Sequence, residues 1–151
     1  MKLGTILNKT IRYCNYREHS VTEVEKFIDK FDITNKDKLF IIDYLIKEKF
    51  IDNKRYTREY IISKFKINKW GRSRIIVNLK KQNIDSSDID KELALIDSSE
   101  YAETLKNILL KKKGALNNAS KIEVRAKLLR YALYKGFEVD LINKELNEII
   151  K

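Results

Sequence analysis

The absence of proline is the feature that most constrains what this chain can fold into. Its 151 residues include no proline and only four glycines, and helix interiors reject both residue types. Nearly the whole length can therefore be helical. Hydrophobic residues, at 43%, are numerous enough to build a core, and charged residues, at 36%, suit thin and well-exposed helices. A chain of this length fits one domain or a few small repeats packed end to end.

Helix-start signals recur along the chain and predict nine helices. Ser20–Glu23 and Ser120–Glu123 are both capping boxes, in which the serine hydroxyl and the glutamate carboxylate can satisfy free backbone N–H groups. Gly136 predicts a helix end, because glycine tolerates the left-handed conformation of a C-terminal cap. Apolar residues at helical spacing follow the start signals. We therefore predict an all-α fold.

Three helix ends resemble one another and indicate an internal repeat. Each has a basic or polar helix end, then a large apolar anchor, then an acid near the next helix start; the anchors are Phe50, Ile84 and Phe137. We predict three tandem three-helix repeats that form one elongated, curved modular protein. Their predicted bounds are residues 1–51, 52–97 and 98–151. A single irregular helical bundle is the alternative.

Positive charge is concentrated in the middle of the chain. The net charge is +10, and residues 60–84 contribute +7 of it, with seven lysines and arginines and no acid. An acidic stretch at residues 85–103 follows, with a net charge of −6, and residues 104–151 carry +6. Such concentrated charge favours a polyanionic partner over a surface that is merely soluble.

The residues that usually carry catalysis are scarce. His19 is the only histidine, expected on the surface or in the capping region, and Cys14 is the only cysteine, expected to be buried. The chain has no glycine-rich phosphate loop. We therefore expect a binding protein rather than an enzyme, with no catalytic residues, metal or cofactor. The lone cysteine fits a reducing compartment, and no apolar run approaches the roughly 20 residues of a membrane span, so we expect a cytoplasmic protein without membrane contact.

Four short motifs occur in an order and at spacings that resemble those of the RecX family, bacterial regulators of the RecA recombinase. They are Tyr16–Ser20, Phe50–Tyr56, Lys69–Ile75 and Lys135–Phe137. The third is a basic-aromatic-glycine turn that leads to an Arg-Ile pair. The resemblance covers about residues 8–148.

The resemblance implies a modular protein that binds along the groove of the RecA–single-stranded-DNA filament and suppresses ATP hydrolysis and strand exchange. We expect it to act as a monomer. Basic side chains near aromatic rings can contact phosphates and stack on bases. The residues predicted to contact RecA or DNA are Arg72, Arg74, Lys69, Trp70, Arg17, Arg55, Lys64, Arg125 and Arg130. Alternatively, Trp70 packs a joint between helices, and some of these arginines pair with acids between repeats.

Two other functions are compatible with the same residues. An autonomous DNA- or RNA-binding module that needs no RecA would bind bare nucleic acid strongly, with a steep salt dependence. A protein-interaction scaffold, whose charge serves only solubility, would bind its partner without dependence on salt or DNA.

Overall fold

The computed structural model describes all 151 residues and contains nine α-helices and no strand. The predicted all-α fold of nine helices is confirmed. The helices are α1 Leu3–Tyr16, α2 Val21–Ile28, α3 Asn35–Lys47, α4 Asn53–Lys66, α5 Arg72–Lys81, α6 Ser86–Leu93, α7 Ser98–Gly114, α8 Lys121–Lys135 and α9 Val139–Ile149. None of them has the length and apolar content that crossing a membrane requires.

Side-chain caps begin most of the helices. The Ser20–Glu23 capping box is complete: Ser20 Oγ accepts from the Glu23 N–H at 3.0 Å, and a Glu23 carboxylate oxygen accepts from the Ser20 N–H at 3.1 Å. The second box is half formed, because Ser120 Oγ accepts from the Glu123 N–H but the return bond is absent. Asp52 caps α4 by accepting from two backbone N–H groups. Local sequence therefore fixes where these helices start.

Left-handed residues end several helices, and they set the predicted apolar anchors. Gly136 and Asn83 have φ angles of 101° and 58°, which confirms the left-handed turns expected there. Phe137 and Ile84 follow them and are buried. The anchor predicted at Phe50 is wrong by one residue: Phe50 is half-buried, and Ile51 is the residue that fills the core, at 1% exposure.

The helices form three repeats of three, which we name the first (α1–α3), second (α4–α6) and third (α7–α9) repeats. Helix packing occurs mainly inside each repeat. A core of eight buried residues belongs to the first repeat, and a core of 17 buried residues is shared by the second and third. The accessible surface of 9678 Å² exceeds the roughly 8,000 Å² of a compact protein of this mass, as expected for tandem repeats.

Aromatic rings and backbone contact join the second and third repeats. The Tyr101 ring lies 5.7 Å from the Phe65 ring and 5.1 Å from the Phe137 ring, measured between centroids. Beside them the backbones of Gly71 and Gly136 touch, so closely that a Cβ on Gly71 would lie 2.3 Å from the Gly136 carbonyl carbon. This joint is an extension of the hydrophobic core.

Polar contacts hold the joint between the first and second repeats. Ser20 Oγ donates to Gln82 Oε1 at 2.6 Å, and Thr22 Oγ1 donates to the Gln82 carbonyl at 2.9 Å. The Arg55 guanidinium reaches Glu18 from the other side of the joint, at 2.7 Å. Because the two hydrophobic cores do not merge here, this joint depends on hydrogen bonds and one ion pair.

The two residues with reactive side chains are both buried in the first repeat. Cys14 is 7% exposed, as expected, and burial raises the pKa of its thiol to about 11. His19 lies beside the Ser20 cap, but it is not on the surface, because its exposure is 3%. Its ring stacks on Tyr13 with 3.8 Å between centroids.

Candidate nucleic-acid interface

The turn between α4 and α5 places Trp70 at the centre of the candidate interface. Lys69 adopts a left-handed conformation, with φ of 58°, which turns the chain back toward α4. The Trp70 N–H then donates to the Lys64 carbonyl at 3.0 Å. The indole is half-buried and packs against the edge of the larger core. Trp70 therefore packs at a joint, as one of the two sequence-based alternatives had it.

Cations and aromatic rings alternate outward from Trp70. Lys64 Nζ lies 4.9 Å from the Trp70 ring centroid and 5.5 Å from the Tyr60 centroid. Arg74 Cζ lies over two rings, at 4.0 Å from the centroid of Trp70 and 4.7 Å from that of Tyr134. Each such contact stabilises a cation by about 0.5–1 kcal/mol where it is exposed. These contacts connect α4, α5 and α8 in one surface.

No acid neutralises the cations in this surface. Neither Lys64 nor Arg74 lies in any of the seven ion pairs of the structure. Burial together with the nearby Arg74 charge lowers the pKa of Lys135. Burial raises the pKa of Tyr60, and the Arg74 charge opposes that rise. The positive charge of Arg74 is therefore felt by its neighbours and remains available to an anion.

The exposed side of α8 extends this surface across the third repeat. Lys127, Arg130, Tyr131 and Tyr134 are spaced three or four residues apart and so share one helix face. They line a shallow depression of about 480 Å³ together with Lys112 from α7. Lys112 Nζ lies 5.1 Å from the Tyr131 ring centroid. No acid lines this depression.

We call the whole surface the basic–aromatic strip. Its members are Tyr60, Lys64, Trp70, Arg74, Lys112, Lys127, Arg130, Tyr131 and Tyr134. Fixed cations beside aromatic rings can hold phosphate oxygens without any covalent chemistry. Sequence reasoning missed Tyr131 and Tyr134, although their spacing from Lys127 and Arg130 on a predicted helix was a usable signal.

Arg72 lies apart from the strip and ties the second repeat to the third. Its Nη1 donates to Glu138 Oε2 at 2.7 Å, and its guanidinium lies 3.8 Å from the Tyr101 ring centroid. The Arg72 N–H also donates to Tyr101 Oη at 2.9 Å. This contact matches the alternative in which an arginine pairs with an acid between repeats.

Arg17 and Arg55 are also paired with acids. Arg17 Nη2 donates to Glu23 at 2.8 Å, and Arg55 Nε donates to Glu18 at 2.7 Å. Both hydrogen bonds raise the pKa of the arginine. Arg17 nevertheless lines an open cleft of about 590 Å³ that also holds Tyr60 and Lys64, so this side chain stays near the end of the strip.

The remaining predicted contact residues fall into two groups. Lys69 and Arg130 are exposed and belong to no ion pair; Lys69 lies at the turn beside Trp70, and Arg130 is in the strip. Arg125 lies on the opposite side of α8, where its Nη2 donates to Asn147 Oδ1 at 3.0 Å. The structure thus brings together Lys64, Trp70, Arg74 and Arg130 directly, with Lys69 alongside.

The far side of α4 differs in character from the strip. Arg58, Ile62 and Lys66 lie about half a helical turn away from Tyr60 and Lys64. Arg58 pairs with Glu92 at 3.2 Å, and Lys66 pairs with Glu100. Between these ion pairs is an apolar groove of about 190 Å³. Positive charge on this side is therefore neutralised, in contrast to the strip.

No three or more His, Cys, Asp or Glu side chains are grouped so as to hold a metal ion. The only histidine is also poorly placed for proton transfer. Burial and then the Arg17 charge lower the pKa of His19, against an opposing effect of Glu23. The chemistry that the described side chains offer is therefore ionic and stacking contact.

Two family models match the chain. The second three-helix domain of RecX matches residues 52–93, and the third three-helix domain of RecX matches residues 99–146. Among curated relatives, the regulatory protein RecX of Clostridium acetobutylicum is 34% identical over 113 residues, which are 72% of this chain and 52% of the relative. That of Clostridioides difficile is 23% identical over 144 residues, covering 95% of this chain and 67% of the relative. The chain thus spans about half to two thirds of the length of these relatives.

Solved structures agree with the family models. RecX from Lactobacillus salivarius superimposes with a TM-score of 0.87 and 24% identity, over 97% of this chain and 96% of that one. A second structure of regulatory protein RecX gives a TM-score of 0.86 at 20% identity, over 96% of this chain and 71% of that one. At these identities the likeness shows the shared fold. Together with the matched domain models, it establishes that this chain belongs to the RecX family.

Proposed function

We propose that the chain is a non-enzymatic regulator that binds the RecA–single-stranded-DNA filament and inhibits its ATP hydrolysis and strand exchange. Recombination and DNA repair would be modulated in this way. The observation that carries the proposal is the basic–aromatic strip. It joins Lys64 and Arg74 of the second repeat to Arg130 of the third without any acid partner, in a chain of the RecX family.

The arrangement of repeats suits a filament better than an isolated site does. Linked repeats that each make weak contacts gain affinity, because the second contact becomes intramolecular once the first has formed. The strip supplies contacts from two repeats, and Arg17 lies at the cleft beside the first. A protein lying in the filament groove would exclude the second DNA strand or disturb the subunit interfaces where ATP is hydrolysed. Neither effect needs a catalytic group.

DNA-dependent ATP hydrolysis by the cognate RecA tests the proposal, with this protein titrated in at fixed salt. We expect inhibition at protein concentrations well below saturation of the DNA. A control titration with a DNA-binding competitor at equal DNA occupancy should leave hydrolysis higher. If hydrolysis is unchanged while the protein still binds bare DNA tightly, the regulatory function is wrong.

The second candidate is an autonomous nucleic-acid-binding module, and the acid-free strip is compatible with it. This module would bind bare DNA or RNA as tightly as it binds the filament, with an affinity that falls steeply with salt. Filament regulation instead predicts a clear gain in affinity when RecA coats the DNA. Binding measured at one salt concentration on bare and RecA-coated single strands therefore separates the two functions.

A further inference from the structure

The aromatic rings of the strip are already occupied, which limits what they can do for a nucleic acid. Proteins that stack bases present open ring faces to the strand. Here Trp70 is half-buried, and two cations lie within 5 Å of its centroid, Arg74 at 4.0 Å and Lys64 at 4.9 Å. Stacking a base on Trp70 would require displacing a cation that the ring stabilises.

The Arg74 guanidinium is held in a way that suits a phosphate group. It lies over the Trp70 ring and near the Tyr134 ring, while no acid and no backbone carbonyl engages its N–H groups. A guanidinium with its flat side on an aromatic ring keeps its N–H edge free, and that edge fits two phosphate oxygens at once. Arg74 is therefore pre-organised as an anion-binding group.

Tyr134 is the one strip aromatic with a largely exposed ring, at 70%. It is the best candidate for base stacking, but it already supports Arg74 on one side. The other three rings, Tyr60, Trp70 and Tyr131, are half-buried and each has a cation over it. The common arrangement throughout the strip is a ring that supports a cation.

We infer that the strip binds the sugar-phosphate backbone of single-stranded DNA and does not stack its bases, with Arg74 and Lys64 as phosphate-contacting residues and Trp70 as the residue that positions them. This inference rests on the proposed function, because it assumes that the strip meets DNA. It specifies the ligand chemistry of that surface: a phosphodiester chain, independent of base identity.

Two labelled strands of equal length and charge test the inference. One is oligothymidylate of about 20 nucleotides, longer than a typical single-strand site, and the other has the same phosphates with abasic tetrahydrofuran units. Binding of the full chain to each is followed by anisotropy at low salt. We expect the two dissociation constants to agree within about two-fold, because phosphates supply the affinity.

The contrary results are distinct. A loss of affinity of about five-fold or more on the abasic strand means that bases are stacked, which overturns the inference and leaves the proposed function standing. No binding to either strand, together with no binding to the RecA filament, overturns both. Trp70 is the only tryptophan, so its emission reports this site. Backbone binding predicts the same emission change with both strands.

Two substitutions at Trp70 separate positioning from general packing. Trp70→Leu keeps an apolar group but removes the ring, so Arg74 and Lys64 lose their support; we expect both strands to be bound more weakly by the same factor. The slope of log affinity against log salt should fall by about one, as for the loss of one phosphate contact. Trp70→Phe keeps a ring and should restore the wild-type slope.

A base-stacking role for Trp70 gives a different pattern. Trp70→Leu would then weaken binding to oligothymidylate but not to the abasic strand, and its salt slope would equal that of the wild type. That result overturns the positioning role. Circular dichroism and thermal melting of both variants show that any change occurs in a folded protein.

Discussion

At the residue scale, two glycines decide how closely the second and third repeats approach. Gly136 has φ of 101°, and a Cβ there would lie 2.5 Å from Arg74 Cβ and 2.7 Å from the Arg74 nitrogen. Gly71 faces the Gly136 carbonyl and the Phe137 nitrogen at similarly short distances. Lacking side chains, these residues let the start of α5 touch the end of α8. They also set the position of Arg74 in the strip.

Gly136→Ala should lower the free energy of unfolding by about 2–4 kcal/mol. The new methyl group would be forced against the α5 backbone, and alanine is strained at a positive φ. Urea unfolding measures the loss. Gly4→Ala is the matched control, because no atom lies within 4 Å of its new Cβ in α1, and it should change stability by less than about 1 kcal/mol. Equal stability of the two variants would contradict this account of the joint.

His19 should make stability depend on pH. Burial and the Arg17 charge lower its pKa in the folded protein below the unfolded value near 6.5, so the unfolded chain takes up the proton first as the pH falls. Stability is therefore full above about pH 6.5 and decreases below it. His19→Phe keeps the ring stacked on Tyr13 and loses no hydrogen bond, since neither ring nitrogen has a partner.

We expect the unfolding free energy of wild type to decrease from pH 7 to pH 5 by more than that of His19→Phe. Urea unfolding at a series of pH values measures both curves. Parallel curves for the two proteins would show that His19 does not titrate differently on unfolding.

At the element scale, α5 begins without a side-chain cap, and α8 supplies what is missing. The Gly71 N–H donates to the Lys135 carbonyl at 2.8 Å, and the Ser73 N–H donates to the Gly136 carbonyl at 2.9 Å. Between them, the Arg72 N–H donates to Tyr101 Oη. The free N–H groups of one helix thus meet the free carbonyls of another, so α5 is held in its position by the third repeat.

Tyr101→Phe should destabilise the protein by about 1–3 kcal/mol. Its hydroxyl accepts from the Arg72 N–H and donates to Glu138, and burial followed by the Glu138 hydrogen bond raises its pKa, so it stays a donor. Removing it leaves a backbone donor without a partner in a buried joint. Tyr16→Phe is the matched control, since Tyr16 is 87% exposed and makes no such bond. Equal unfolding free energies in urea would rule out this cap.

Most of this element-scale architecture can be predicted from the sequence, because its causes are local. The Ser20 cap, the left-handed Asn83 and the Gly136 stop each act within a few residues, so pattern alone reveals them. The left-handed Lys69 was not predicted, because nothing in a lysine side chain signals it. The cap on α5 was also out of reach, since its acceptors lie more than 60 residues along the chain.

At the scale of the whole molecule, the two joints differ in strength. The second and third repeats share one hydrophobic core, while the first repeat has its own and meets the second through polar contacts. Hydrogen bonds that water can replace contribute only about 0.5–1.5 kcal/mol each. The first repeat is therefore the part most able to change its orientation relative to the rest.

Native-state hydrogen exchange should show two cooperative units. We expect amides of α1–α3 to exchange through an opening that leaves α4–α9 protected, because breaking the polar joint exposes little apolar surface. Gln82→Ala should lower protection in the first repeat and leave α8 unchanged. One opening free energy shared by all nine helices would contradict the separation of the two cores.

The candidate site could be predicted only in part, for a reason that belongs to this scale. Sequence locates the cations of residues 60–84, but it does not show which of them meet acids in other repeats. Arg72 finds Glu138, 66 residues away, and Arg55 finds Glu18 across the other joint. Arg74, two residues from Arg72, is turned to the other side of α5 and finds only aromatic rings. Which arginines contact the filament stays a prediction.

The most direct test of the strip compares two charge reversals in the inhibition of RecA ATP hydrolysis. Arg74→Glu lies in the strip, and Arg58→Glu lies on the far side of α4; each lowers the net charge of +10 by two. We predict that Arg74→Glu raises the half-inhibiting concentration about ten-fold or more, while Arg58→Glu stays within about two-fold of wild type. Equal effects of the two variants, with both proteins folded, would mean that net charge acts and that the strip is not the contact surface.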